Sequence, residues 1–302
     1  MGSSACQRKP KPTPNPPPVP KVTVFRAGAK PAALAFDGEH IWIANAGDNT
    51  VTSLRKEGGV VGVYPVGREP VALAYGGGYL WVANRGDGTV GQLTLSGQVI
   101  RTVPVGQEPV ALTYWEDSLW VASRGEGTVS RLSADGEVVK AIPVGTRPSA
   151  LAAQGDYLWV TTQGERTLAK LGRDGTVVAT FTVISGPSPT TFSEGERAPG
   201  AIAVGASEIW LAYPLADRLA QVNTEGVPQG FFPAPGEPRA LLIAAGSLWT
   251  ANRATGSVTR SNPRGPPSVT FPVGEGPIAL LFDGKSIWVA NQAGNSIARL
   301  DP

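Results

Sequence analysis

The chain has 302 residues, enough for two ordinary domains, and 41% of them are hydrophobic, enough for a large core. Its 26 basic and 24 acidic residues nearly balance, and residues 1–20 carry Arg8, Lys9 and Lys11 with no acid, so the remainder is close to neutral. That distribution leaves no basic footprint for nucleic acid, and no apolar run reaches the length of a membrane span. A single cysteine, Cys6, excludes an intrachain disulfide and a cysteine metal cluster. A single histidine, His40, excludes most imidazole-based metal sites and leaves one candidate for a histidine general base.

Residues 10–20 read PKPTPNPPPVP, with seven prolines. Such a run cannot enter a sheet ladder and favours an extended polyproline spacer, so residues 1–20 are expected to form a disordered tether. The preceding Ser3-Ser4-Ala5-Cys6 resembles the mature start of a bacterial lipoprotein, in which the cysteine takes the lipid. That resemblance implies lipidation at Cys6 and an extracytoplasmic, lipid-anchored location. The departures are Ser3, where a large aliphatic residue is usual, and the lack of an apolar segment before Cys6; the other reading is an idle thiol in a disordered tail.

From residue 21 to 302 one period governs the chain. The pairs Pro31/Trp42, Pro70/Trp81, Pro109/Trp120, Pro148/Trp159, Pro199/Trp210, Pro238/Trp249 and Pro277/Trp288 are each eleven residues apart, and successive tryptophans are 39, 39, 39, 51, 39 and 39 residues apart. A period near forty signals a repeat architecture. In the clearest unit, residues 107–145, β-prone runs at Val110–Tyr114, Ser118–Ser123, Thr128–Leu132 and Val138–Val144 are separated by turn residues. Each unit therefore reads as a four-stranded antiparallel meander. Its second strand, Leu-Trp-Val-Ala, is apolar on both faces and must be covered on both sides. Radial packing achieves this, which predicts an all-β, seven-bladed β-propeller over 21–302. The chain ends after the third strand of the last unit, and Val22–Arg26 aligns with a fourth strand, so the N-terminal strand is expected to close the seventh blade.

Residues 81–84 (WVAN), 88–90 (GTV), 104–106 (PVG) and 109–112 (PVAL), with near copies in most blades, resemble the YVTN family of propeller repeats, including YncE-like proteins. Members of that family are often exported and act as interaction platforms. More distantly the chain resembles streptogramin B lyase, a seven-bladed propeller whose site uses a late histidine, an acidic residue and magnesium. No histidine follows His40 here, so that site does not carry over.

Residues that recur in every blade build blades; departures from the repeat carry information. The insertion at about 186–197 and the irregular blade-five loop, Tyr213 to Arg218, both fall on the face that holds the second-to-third strand hairpins and the blade-to-blade crossovers, here called the top. The same face collects Lys30, Glu69, Glu108, Arg147, Glu237 and Arg239 near the crossover prolines, and Arg85, Arg124, Gln163, Arg166, Arg253 and Gln292 in the hairpins. Of these, Lys30, Glu69, Arg85, Glu108, Arg124, Arg147, Gln163, Arg166, Arg239 and Arg253, together with Phe192, Tyr213 and Arg218, are the candidate ligand contacts. Several arginines suit carboxylate or phosphate groups; the competing reading is solvated rim charge with internal pairs such as Glu69 with Arg85. Trp115 lies outside the repeat and is either an exposed anchor for a partner or a cover over the blade edge. The reading that follows is a monomeric binding module that needs no cofactor and holds a protein, peptide or cell-envelope polymer. The alternatives are a metal-assisted lyase or hydrolase drawing on Glu69, Glu108, Glu194, Glu196 or Asp217, and a structural spacer.

Overall fold

The computed structural model describes residues 20–183, 198–262 and 265–301. These residues form 28 strands in seven four-stranded antiparallel sheets, and a single 3-10 turn at Pro214–Ala216 is the one helical element among them. Blade one comprises β2 (Pro31–Phe36), β3 (His40–Asn45), β4 (Thr50–Arg55) and β5 (Val60–Pro65). Blade two comprises β6 (Pro70–Gly76), β7 (Tyr79–Asn84), β8 (Thr89–Leu93) and β9 (Val99–Pro104); blade three comprises β10 (Pro109–Trp115), β11 (Ser118–Ser123), β12 (Thr128–Ser133) and β13 (Val138–Pro143). Blade four comprises β14 (Pro148–Gln154), β15 (Tyr157–Thr162), β16 (Thr167–Gly172) and β17 (Val177–Thr182); blade five comprises β18 (Ala201–Val204), β19 (Ile209–Tyr213), β20 (Arg218–Val222) and β21 (Pro228–Pro233). Blade six comprises β22 (Pro238–Ala244), β23 (Ser247–Asn252), β24 (Ser257–Asn262) and β25 (Gly265–Pro272). Blade seven joins β26 (Pro277–Phe282), β27 (Ile287–Asn291) and β28 (Ser296–Asp301) to β1 (Lys21–Arg26).

The ring closes as its sequence predicts. β1 pairs with β28 in antiparallel register, Val22 opposite Leu300 and Phe25 opposite Ile297. The inner strands of successive blades pack on one another, and β26 packs on β2 to complete the circle. Cys6, and all but Pro20 of the proposed tether, lie outside the described residues, as do residues 184–197, which include the insertion and Phe192.

Apolar burial between blades supplies the core. The seven repeat tryptophans are buried, and each meets one aromatic ring. In five blades that ring comes from the outer strand: Tyr64, Phe181, Phe232, Phe271 and Phe25. Blades two and three carry Val103 and Ile142 at that outer position. Their tryptophans turn instead to Tyr79, at 6.5 Å between centroids, and Trp115, at 5.8 Å. Trp115 thus covers its own blade and replaces a missing outer aromatic.

In six blades the inner strand begins with a bulge that leaves the residue after the crossover proline unpaired with the second strand. A bulge re-aims a side chain. These residues are Ala32, Val71, Val110, Ser149, Arg239 and Ile278, and all but Ala32 line the central channel. This places Arg239 at the channel.

Candidate functional site

The top face is built by two recurring positions tied together by one backbone bond. In six blades the crossover residue before the proline is held at positive φ: Lys30 at 51°, Glu69 at 56°, Glu108 at 52°, Arg147 at 56°, Glu237 at 62° and Gly276 at 66°. Its carbonyl accepts from the first residue of the hairpin in the same blade, as in Arg85 N–H to Glu69, Arg124 to Glu108, Gln163 to Arg147 and Arg253 to Glu237. The two side chains therefore stand side by side. In blades two, three and six the pair is Glu with Arg. Glu69 binds Arg85 through both carboxylate oxygens. That bond holds the Glu69 carboxyl below its ordinary range and the Arg85 guanidinium above its own. Glu237 accepts from Arg239 at 2.6 Å and from Arg253 at 3.1 Å; burial alone would raise its carboxyl, and the two arginines outweigh it.

Blade four breaks this pattern. Its crossover residue is Arg147 and its hairpin residue is Gln163, so the acid of the pair is replaced by a cation. A second departure follows at the end of the same hairpin. The left-handed turn position is Asn49, Gly88, Gly127, Asp217, Gly256 and Asn295 in the other blades and Arg166 in blade four, at a φ of 59°. Glycine, asparagine and aspartate tolerate that conformation, and other side chains cost roughly 1–2 kcal/mol there. Arg239, at the bulge where other blades place small or apolar residues or Ser149, is a third departure.

All three departures open onto one cavity of about 530 Å³, which Arg124 and Gln163 also line. The turn of blade five walls it with Pro214 and Leu215, and Leu215 is 59% exposed. Arg124 donates to Gln163 Oε1 at 3.1 Å, which leaves the Gln163 amide nitrogen as its remaining polar group. Among the described residues the cavity lining contributes guanidinium and amide donors and no carboxylate. Burial, and then the neighbouring Arg147 charge, push the Arg124 guanidinium below its ordinary value, while Glu108 opposes them. Arg147 and Arg166 have no ion-pair partner among the described residues.

The other sequence candidates divide clearly. Arg85 and Glu108 line an adjoining hollow, and Arg253 with Glu237 lines another. Lys30 stands exposed at the crossover into blade one, outside the cavity lining, and its charge adds to that of Arg85 in holding the Glu69 carboxyl low. Arg218 begins β20 opposite Tyr213 and does not line the cavity. Tyr213 requires a correction: it is fully buried, packed with Trp159 and Leu211, and cannot meet a ligand. It takes the inward position that Asn45, Asn84 and Asn291 hold elsewhere, so its ring is a core filler. Its hydroxyl has no hydrogen-bond partner, and burial pushes its pKa upward. The sequence places this loop on the top face but does not single out Leu215, which the 3-10 turn leaves exposed beside the buried Pro214.

His40 starts β3 at the opposite end of blade one from Asn45. It stands 3.5 Å from Asp37 and 3.8 Å from Glu39. No group of three or more metal-ligating side chains occurs among the described residues.

The model of the Virginiamycin B lyase family matches residues 17–300. The chain belongs to this family. Among solved structures, virginiamycin B lyase from Staphylococcus aureus aligns with a TM-score of 0.80 at 18% identity, over 94% of this chain and 99% of that one. A catalytically inactive histidine-to-alanine variant of the same lyase with quinupristin aligns equally well, at a TM-score of 0.80 and 18% identity, over 94% and 99%. The WD40 propeller of Doa1 aligns at 0.75 with 12% identity, over 92% and 95%. These likenesses establish the fold. A search of curated proteins gives no match. Within the virginiamycin B lyase family, this chain is a member whose one histidine is far from the top-face cavity.

Proposed function

We propose that the chain is a binding module whose top face holds an anionic protein, peptide or cell-envelope polymer without transforming it. One observation carries the reading: the cavity gathers Arg124, Arg147, Arg166 and Arg239 with no carboxylate among its described lining residues. Preorganised guanidiniums grip carboxylate or phosphate oxygens in paired hydrogen bonds. The YVTN-like repeats support the same reading, since that family supplies interaction platforms. Ser3-Ser4-Ala5-Cys6 and the proline-rich run support a lipidated, extracytoplasmic protein with the ring held away from the membrane.

The rival is a metal-assisted lyase or hydrolase, favoured by family membership. The histidine whose loss inactivates the staphylococcal enzyme has no counterpart after residue 40 of this sequence. Fold alone does not carry activity. The test has two arms. Purified protein is incubated with quinupristin and divalent magnesium, and the compound is followed by chromatography; the binding reading expects it unchanged. In parallel, a fluorescent hexaglutamate peptide is titrated onto the wild type and onto Arg147→Glu. Binding to the first that is lost by the second supports the reading. Conversion of quinupristin by the wild type would overturn it in favour of the lyase.

A further inference from the structure

The geometry points to a phosphate monoester, a doubly charged oxyanion carried on an organic group, as the chemical group that this cavity recognises. This rests on the anion-binding reading above and narrows it.

The first argument is directional. A carboxylate is planar with two oxygens and is satisfied by one arginine fork. Here the donors come from different parts of the ring: Arg124 from the blade-three hairpin, Arg147 and Arg166 from the crossover and hairpin of blade four, and Arg239 from the inner strand of blade six. Donors approaching from separate sides suit a tetrahedral group with three free oxygens.

The second argument is charge. Glu69 neutralises Arg85, and Glu237 serves both Arg239 and Arg253. No described acid pairs with Arg147 or Arg166; Arg147 stands where blades two, three and six have an acid, and Arg166 where the other blades have glycine, asparagine or, in blade five, aspartate. A phosphate monoester brings close to two negative charges at neutral pH, one for each. The third argument is the wall. Leu215 and Pro214 present apolar surface to the cavity, and its volume of about 530 Å³ falls in the range that holds organic molecules rather than bare ions.

The experiment is calorimetric titration of phenyl phosphate, benzoate and benzene-1,3-dicarboxylate onto the protein at low salt. Arg147→Glu installs the acid of blades two, three and six, and Arg166→Asn installs the turn residue of blades one and seven, so both variants are expected to fold; thermal melts verify this. Arg55→Ala, at the exposed far end of β4 from the top face, is the control. The proposal predicts that phenyl phosphate binds at least about tenfold more tightly than either carboxylate, and that each cavity variant weakens it by about tenfold or more. The control should bind as the wild type does. Affinity should also fall several-fold from pH 7.5 to pH 5.5, as the ester loses its second charge near its pKa of about 6. Equal or tighter binding of the dicarboxylate would overturn the phosphate assignment and leave the anion-binding function standing. Hexaglutamate binding with no phenyl phosphate binding would also overturn it alone. If none of these anions binds, both readings fall.

Discussion

Arg166 occupies a left-handed turn that the other six blades give to glycine, asparagine or aspartate. A long cationic side chain with a Cβ costs stability there, and strain of this kind persists where a site needs it. Replacement with asparagine should raise stability by about 1 kcal/mol and the melting temperature by about 2 °C, while weakening binding of acidic ligands. Calorimetry and peptide titration on one preparation check both. A variant that gains neither stability nor loses affinity would remove Arg166 from the account. Tyr213 supports an independent prediction. Its buried hydroxyl has no partner, and an unsatisfied polar group of this kind costs about 1–3 kcal/mol. Tyr213→Phe should leave denaturant stability unchanged or raise it by about 1 kcal/mol, with ligand affinity untouched. The candidate site was legible in the sequence only in part. Arg147, Arg166 and Arg239 could be placed on the top face from the repeat alone. Tyr213 was misplaced because the end of a second strand is both near the rim and inside the core, and one-dimensional position does not say which way a side chain turns there.

In five blades the turn between first and second strands holds the repeat indole by a hydrogen bond, in one of two ways. In blades one and seven an aspartate caps the turn. Asp37 accepts from the N–H groups of Glu39 and His40 and from Trp42 Nε1, and Asp283 does the same for Lys285, Ser286 and Trp288. In blades two, three and six the indole donates to a main-chain carbonyl, of Gly76, Trp115 or Ala244. Burial would raise both aspartates, but the donated hydrogen bonds win and each pKa lies below the ordinary value. A depressed folded-state pKa means that these groups stabilise the ring above the unfolded-state pKa of about 3.9 and lose that contribution as pH falls through the folded value. Acid unfolding followed by tryptophan fluorescence should therefore steepen below about pH 4. The double variant Asp37→Asn with Asp283→Asn should be less stable at neutral pH and lose less on acidification. An unchanged acid limb would show that these turns do not govern it. Trp115 belongs to the same element in blade three. Trp115→Ala should cost about 2 kcal/mol through its lost contact with Trp120 and leave anion binding unchanged, because the turn lies at the far end of the blade from the cavity. The strands themselves were nearly all readable beforehand, since a 39-residue period with fixed proline and tryptophan positions leaves little freedom in register. The role of Trp115 was not, because it depends on Ile142 standing where other outer strands have an aromatic ring.

At the scale of the molecule, near-neutral overall charge conceals a local imbalance. Acid–arginine pairs ring the top face at blades two and six, and blade four supplies cations in place of the acid. Sequence counting averages these together, which is why the charged rim was visible in advance and its one cationic sector was not. A ring closed by β1 on β28 holds the crossovers and hairpins in fixed relation, so three departures spread over more than ninety residues of sequence can serve one cavity. The salt dependence of hexaglutamate binding tests this account most directly. It would be measured by fluorescence anisotropy between about 25 and 300 mM salt, where screening lengths shrink past the size of the cavity, on the wild type and on Arg147→Glu with Arg166→Asn. The account predicts tight, steeply salt-dependent binding by the wild type, and weak binding with a shallower slope by the double variant. Identical affinities and slopes for the two proteins would contradict it.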